Sequence, residues 1–203
     1  MTTPTLPVAP LTALEAVNLM LASIGQGAVN SLTASASVDA ESAKNALMAT
    51  TREVQSRGWW FNREYCYPLQ ADSTGAILLP EGVLKFQVDP RYGNLVQRGG
   101  RLYDADKHTS TFDPGFQVTG EIVWLFPFDD LPHTARQYIG RRAGREFQIG
   151  AIGSDLLYKF TREMEDEAQT ELMREHLRSV KSNVVSDNAL VSWTASGTLR
   201  YRR

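Results

Sequence analysis

Among its 203 residues the chain has one cysteine, Cys66, and only three histidines, His108, His133 and His176. A lone thiol excludes an intrachain disulfide framework, so burial and hydrogen bonding have to hold the fold. No pair of histidines has metal-ligand spacing, and one cysteine cannot complete a set. A glycine-rich phosphate loop is missing: "RGGRLYD", residues 98–104, has the wrong composition and context. No G-x-S-x-G elbow marks a nucleophilic serine. No run approaches the ~18 consecutive apolar residues that read as a membrane span. "MTTPTLPVAP" at the start lacks both the charge and the apolar run of a signal peptide. Basic excess is missing too, since a net charge of −2 and a pI near 5.9 argue against a dedicated nucleic-acid binder. The expectation is a soluble protein with no cofactor, no bound metal and no membrane insertion.

What is present is enough for a sizeable core. Hydrophobic residues make up 42% and charged residues 22%, ordinary globular values, and a chain this long buries roughly 70% of its unfolded surface without staples. After a proline-rich leader, Thr12 and Glu15 form a capping-box pattern. Leu14, Val17, Leu21 and Ile24 fall on one helical face, with Gly25 as the stop. A second helix is predicted from Val38 to Arg57, with Ala43, Ala46, Leu47 and Val54 inward and Gly58 at its end. From Trp59 the period changes from 3.6 to 2: Phe61, Tyr65, Tyr67 and Leu69 point one way, and Asn62, Glu64 and Cys66 the other. Further strands are expected at "GAILLP", "VLKFQVD" and "FQVTGEIVWLF", the last with Phe116, Val118, Ile122, Trp124 and Phe126 on one side. "LVQRGGRLYD" reads as a hairpin about a Gly-Gly turn.

Helical periodicity then resumes. "DDLPHTARQYIGRRAGREF" starts with Asp130 as candidate N-cap and Pro132 in the first turn. A longer helix begins at Ser154, with an apolar line through Leu157, Phe160, Met164, Ala168 and Leu172. From Asn183 the helical period is lost, and the tail reads as either a late strand or an arm that orders against a partner. The pattern predicts an α+β chain: a helical half at 1–58, an antiparallel β region of five or six strands at 59–128, a second helical half at 129–183, and an arm at 184–203. No helix alternates with the strands, so a parallel doubly wound sheet is not expected.

Residue chemistry offers no visible active site. Cys66 reads as a small half-buried strand residue rather than a nucleophile. Asp129 and Asp130 are adjacent and suit a helix start, not the facing carboxylates of glycoside hydrolysis. Arg136, Arg141, Arg142 and Arg145 form a cationic cluster that can pair with acids of a neighbouring helix. Glu163, Glu165, Asp166 and Glu167 form an acidic run whose default is a solvated face. Repeated around a ring, that run would make an acidic band that repels DNA phosphates and lets the duplex slide. The trio Trp59, Trp60 and Phe61 is placed at the helix-to-sheet handover, as the seam of two subdomains; an aromatic glycan platform is its rival reading. Trp193, Arg200, Tyr201, Arg202 and Arg203 give the tail a basic, aromatic end suited to an acidic partner.

"AVNLMLASIGQGAVNSL", the alanine-rich helix after it, "VQSRGWWFN", "RGGRLYD" and "DDLPHTARQYIGRRAGREF" occur in one order over residues 11–180. Together they resemble the tail tubular protein A family, the head-to-tail adaptors of T7-like short-tailed phages. The resemblance implies a structural, non-enzymatic protein of the virion tail, assembled in the bacterial host cytoplasm. It implies a dodecameric ring of copies between the portal protein and a nozzle of tail tubular protein B, extending the channel for passing double-stranded DNA and anchoring tail fibres. It further implies a helical bundle with a β-sandwich-like domain and a C-terminal arm that grips a neighbour. Two other classes stay in view: a tail-associated hydrolase of host surface polysaccharide, which turnover of glycan would reveal, and a DNA-binding regulator, which salt-sensitive duplex binding would reveal.

Overall fold

The computed structural model describes residues 10–33, 37–151 and 155–187. Ser154 and the tail residues Trp193, Arg200, Tyr201, Arg202 and Arg203 lie outside the described residues, as do the side chains of Leu157 and Phe160. Within them the chain is α+β, in the order helix, helix, strands, helix, helix.

Helix α1 spans Ala13–Ser23 and opens with a complete capping box. Glu15 N donates to Thr12 Oγ1 at 3.2 Å and Thr12 N to Glu15 Oε2 at 2.8 Å, so two orphan donors are satisfied reciprocally. It ends as the sequence indicates, with Gly25 N donating to the Ala22 carbonyl and Gln26 N to that of Leu21. Helix α2, Val38–Gln55, is capped by Ser37 and stops two residues before the expected end. The buried line on α1 is Ala16, Val17, Met20 and Leu21, rotated from the expected stripe, so that Leu14 and Ile24 are only half-buried.

Five strands follow: β1 Arg63–Gln70, β2 Val83–Val88, β3 Leu95–Arg98, β4 Arg101–Asp104 and β5 Gln117–Trp124. β5 runs antiparallel between β1 and β2, while β3 and β4 form a separate hairpin. Gly99 and Gly100 make its turn with φ of +58° and +75°, the double left-handed conformation that a two-residue hairpin loop requires. Three expectations are corrected here. "GAILLP" forms no strand, only an isolated bridge from Leu78 to Arg101. β1 starts at Arg63, after a turn holding Trp60–Asn62, and carries a bulge between Glu64 and Tyr67, with Cys66 at φ +56°. The extra residue resets the alternation, leaving Tyr65 exposed rather than on the side of Tyr67 and Leu69, and Cys66 exposed rather than half-buried. β5 ends at Trp124, so Phe126 leaves the sheet and packs on the helices instead.

Helix α3 covers His133–Ala151 and α4 covers Asp155–Asp187. A 3-10 turn over Phe128–Asp130 precedes α3, so Asp130 is not its cap. Asp129 serves a different helix: its Oδ1 accepts from Ala13 N at 2.8 Å, placing a carboxylate at the start of α1 from more than a hundred residues away. α4 continues through Asn183 to Asp187, past the expected start of the arm. Once the nucleus has formed, each added residue needs only weak propensity to extend a helix, so loss of apolar period does not end one. Ala168 and Leu172 face inward as expected, but between them and the start of the helix the inner position belongs to Glu165, and Met164 is exposed.

The apolar interior falls into two clusters. The helical one gathers Val17, Leu21, Leu47, Val54, Tyr138, Ile139 and Leu172 about Trp59. The β one gathers Ile77, Phe86, Leu102, Val118 and Ile122 between the sheet and the hairpin.

Candidate assembly surface

The chain passes from α2 to β1 through Gly58, at φ +72°. A Cβ there would sit 2.8 Å from the Arg63 guanidinium and 3.1 Å from Val123, so the close approach needs glycine. Arg63 donates to the carbonyls of Gly58 at 2.8 Å and Arg57 at 3.1 Å, a cation at the exit of α2. Its Nε also faces Glu121 at 3.3 Å, an ion pair without hydrogen-bond alignment.

Trp59, Trp60 and Phe61 all lie on the helical side of this handover. Trp59 is buried, and its indole N–H donates to the Val54 carbonyl at 2.7 Å. It meets the edge of His176 from α4 at 5.4 Å, while Trp60 leans on that imidazole at 6.1 Å and on Phe61 at 5.1 Å. The trio expected at the seam of the two subdomains belongs to the helical cluster alone, and none of the three is part of the β cluster. Burial, followed by the Arg63 cation, holds the His176 pKa below its usual value.

The sheet is joined to the helices by polar side chains. Gln55 pairs with the backbone of Phe126 in both directions, at 2.9 Å each way. Asn62 accepts from Trp59 N at 2.7 Å and donates to the carbonyls of Gln55 and Trp124 at 3.0 and 2.7 Å. Both side chains are almost fully buried, and between them they bind backbone groups at the end of α2, at Trp59 and just at or past the end of β5. The sequence reading missed this clasp. Its signal was a glutamine on the apolar face of α2 and an asparagine directly after three aromatics.

The arginines of α3 do not act as one patch. Arg136 donates to the carbonyls of Leu131 at 2.6 Å and Leu11 at 3.2 Å, tying the entry of α3 to the segment before α1. Arg142 reaches Glu53 of α2 at 2.5 Å and Glu146 at 3.1 Å. Burial disfavours its charge, but hydrogen bonds to Tyr138 and Glu146 and the charge of Glu53 outweigh that and raise its pKa. Arg145 pairs with Glu165, its second contact being Nη2 to Oε1 at 3.4 Å. Arg141 is half-buried and makes a longer bond, 3.4 Å, to the Met164 carbonyl.

The acidic run divides in the same way. Glu165, expected on the solvated face, turns inward to Arg145, because the inner line of α4 runs through it and Ala168. Glu163, Asp166 and Glu167 are exposed, and with Thr170, Glu171 and Arg174 they line one open face of α4. Among the described residues no group of three His, Cys, Asp or Glu could hold a metal ion, and no helix is long and apolar enough to cross a membrane.

A family model described as "Tail tubular protein" matches residues 14–182, a span that begins inside α1 and ends in α4. No curated protein matches the chain.

Proposed function

Since the chain belongs to the tail tubular protein family, and is a structural component of a bacteriophage tail, we propose that it acts as the head-to-tail adaptor. In this reading, copies close into a dodecameric ring between the portal protein and a nozzle of tail tubular protein B. The ring continues the channel for ejected double-stranded DNA and helps anchor the tail fibres, after assembly in the host cytoplasm. The observation that carries the reading is the unfinished surface of the helical side. α4, about 50 Å long at 1.5 Å per residue, packs through one narrow line and leaves Met164, Met173, Leu177 and Val180 in solvent. Large apolar side chains exposed on two faces of one helix mark surfaces that are covered by a partner.

The chain is accordingly divided into a helical bundle from residues 1–58 and 129–183, an inserted β-sandwich-like domain at 59–128, and an arm over 184–203 whose first residues extend α4. Arg141 is the arginine best placed for a neighbouring subunit, since Arg136, Arg142 and Arg145 already hold groups of their own chain. Glu163 and Glu167 are the residues proposed to face the channel, where like charge keeps DNA from adhering, and Asp166 is proposed to face a neighbouring subunit. The arm residues Trp193, Arg200, Tyr201, Arg202 and Arg203 are proposed to dock on a neighbour.

Reconstitution tests the role. DNA-filled heads with portal but without this protein should fail to bind the nozzle protein, and adding the purified chain should restore binding. Nozzle attachment without it would overturn the adaptor role. The family is structural rather than enzymatic; turnover of host polysaccharide by the pure protein would reopen the hydrolase alternative.

A further inference from the structure

Two unpartnered apolar features lie on opposite faces of α4. The first is a groove of about 340 Å³ among α1, α3 and α4. Its walls include Leu19 and Met20 of α1 and Met164 of α4, with Leu19 65% and Met164 50% exposed. Its floor includes Gly140 and Gly144, one turn apart on α3. A Cβ on Gly140 would stand 3.2 Å from Leu11, and one on Gly144 3.9 Å from Met20. The small residues leave a backbone-floored trough of the kind that receives an apolar helix face. Arg141 stands at its rim.

The second feature is the row Met173, Leu177 and Val180, spaced as one helical stripe and exposed on α4. Met173 follows Met164 by nine residues, about two and a half turns, so stripe and groove look in opposite directions. Asp166, two turns before Met173, prolongs the stripe with an exposed carboxylate.

We propose that the groove of one subunit receives the Met173–Leu177–Val180 face of α4 from the next copy, with Asp166 of that copy set against Arg141. This rests on the ring reading and names the surfaces that close it. A ring needs two different complementary patches on every subunit. Groove and stripe meet that need: one is concave and bordered by a cation, the other convex and ended by an anion, and being on opposite sides of one helix they propagate the contact rather than pair it off. A partner other than a second copy would have no reason to find both halves on the same chain.

Crosslinking on the portal tests the pairing. In a Cys66→Ser background, Leu19→Cys and Leu177→Cys chains are mixed, assembled on the portal ring and treated with a short bis-maleimide. Crosslinked pairs should exceed those from a Tyr65→Cys and Leu177→Cys control by about tenfold, the ratio that 1.4 kcal/mol of preference gives. Arg141→Glu should weaken self-association, and Asp166→Arg added to it should restore it, a rescue that a merely structural arginine would not show. Rings of normal mass with no such crosslink and no rescue would overturn this inference and leave the ring reading standing. Crosslinks from Leu19→Cys to portal or nozzle protein would overturn it as well. Failure of the parent chain to associate at all would remove the ring reading beneath it.

Discussion

The β region and the helical side of this protein are completed differently. The β cluster is closed by its own strands and hairpin: Gly120 packs under the Gln87 backbone, Gln97 caps Phe86 N at 3.0 Å, and Asp104 holds the turn at Asp106 and Lys107. The helical side is held by long-range polar contacts, among them Arg136 on Leu11, Arg142 on Glu53 and Asp129 on α1. Yet it leaves a groove and an apolar stripe open. The difference teaches that a region can be well braced and still unfinished. Its braces fix the shape of surfaces whose burial comes only with a partner.

Breaking the brace at its centre should have the largest effect. Trp59→Ala removes a buried indole shared by α2, α4 and the β1 entry, and should cost about 3–5 kcal/mol. Trp60→Ala, at a half-buried site, should cost less; a double variant that melts like the parent would contradict the packing described. Asn62→Ala strands the Trp59 N–H and removes a donor from the Gln55 and Trp124 carbonyls, a loss of about 2–3 kcal/mol. It should uncouple the two regions, seen as separate urea transitions for α and β probes. A single transition at an unchanged midpoint would argue against the clasp.

Gly120→Ala sharpens the comparison from the other side. Its Cβ would come within 2.5 Å of the Gln87 carbonyl oxygen, so the sheet has to shift, at about 1–3 kcal/mol. Hydrogen exchange should rise in β2 and β5 and stay unchanged in α1 and α3; the reverse pattern would refute the separate closure of the β region. The smallest effect is one of pH. His176 has a folded pKa below its ordinary value, so on acidification the unfolded chain takes up the proton first. The stability it provides is complete above roughly pH 6.5, the unfolded histidine range, and is lost as pH falls through the folded value. His176→Phe should flatten that slope, and an unaltered slope would remove the histidine from the account. Glu15, Asp72 and Asp104, whose pKa values are lowered by hydrogen bonds to their carboxylates, act in a separate window further into acid.

Local signals in the sequence were read well where they are answered locally. The Thr12–Glu15 box, the start of the second helix at Val38 and the Gly-Gly hairpin depend on residues a few positions apart. The bulge at Cys66 was not legible, because one inserted residue leaves the composition of a strand unchanged while reversing which side chains face inward. Periodicity along α4 finds Ala168 and Leu172 but puts Met164 where Glu165 lies, since Met164 suits an apolar stripe better than Glu165 does. Only the position of Arg145 on α3 makes the acid the buried residue. Asp129 as the cap of α1 and Asn62 as the clasp depend on contacts across 116 and 62 residues, which no local pattern encodes. The same holds for the groove, where α1 meets α3 and α4 from the other side of the whole β region in sequence.

The most direct test of the central claim is the mass of the purified chain, alone and mixed with its portal ring. The adaptor account predicts a discrete increment on the portal corresponding to a closed ring of copies, with the helical surfaces becoming protected as it forms. A chain that stays monomeric in both samples, with no mass added to the portal, would contradict it.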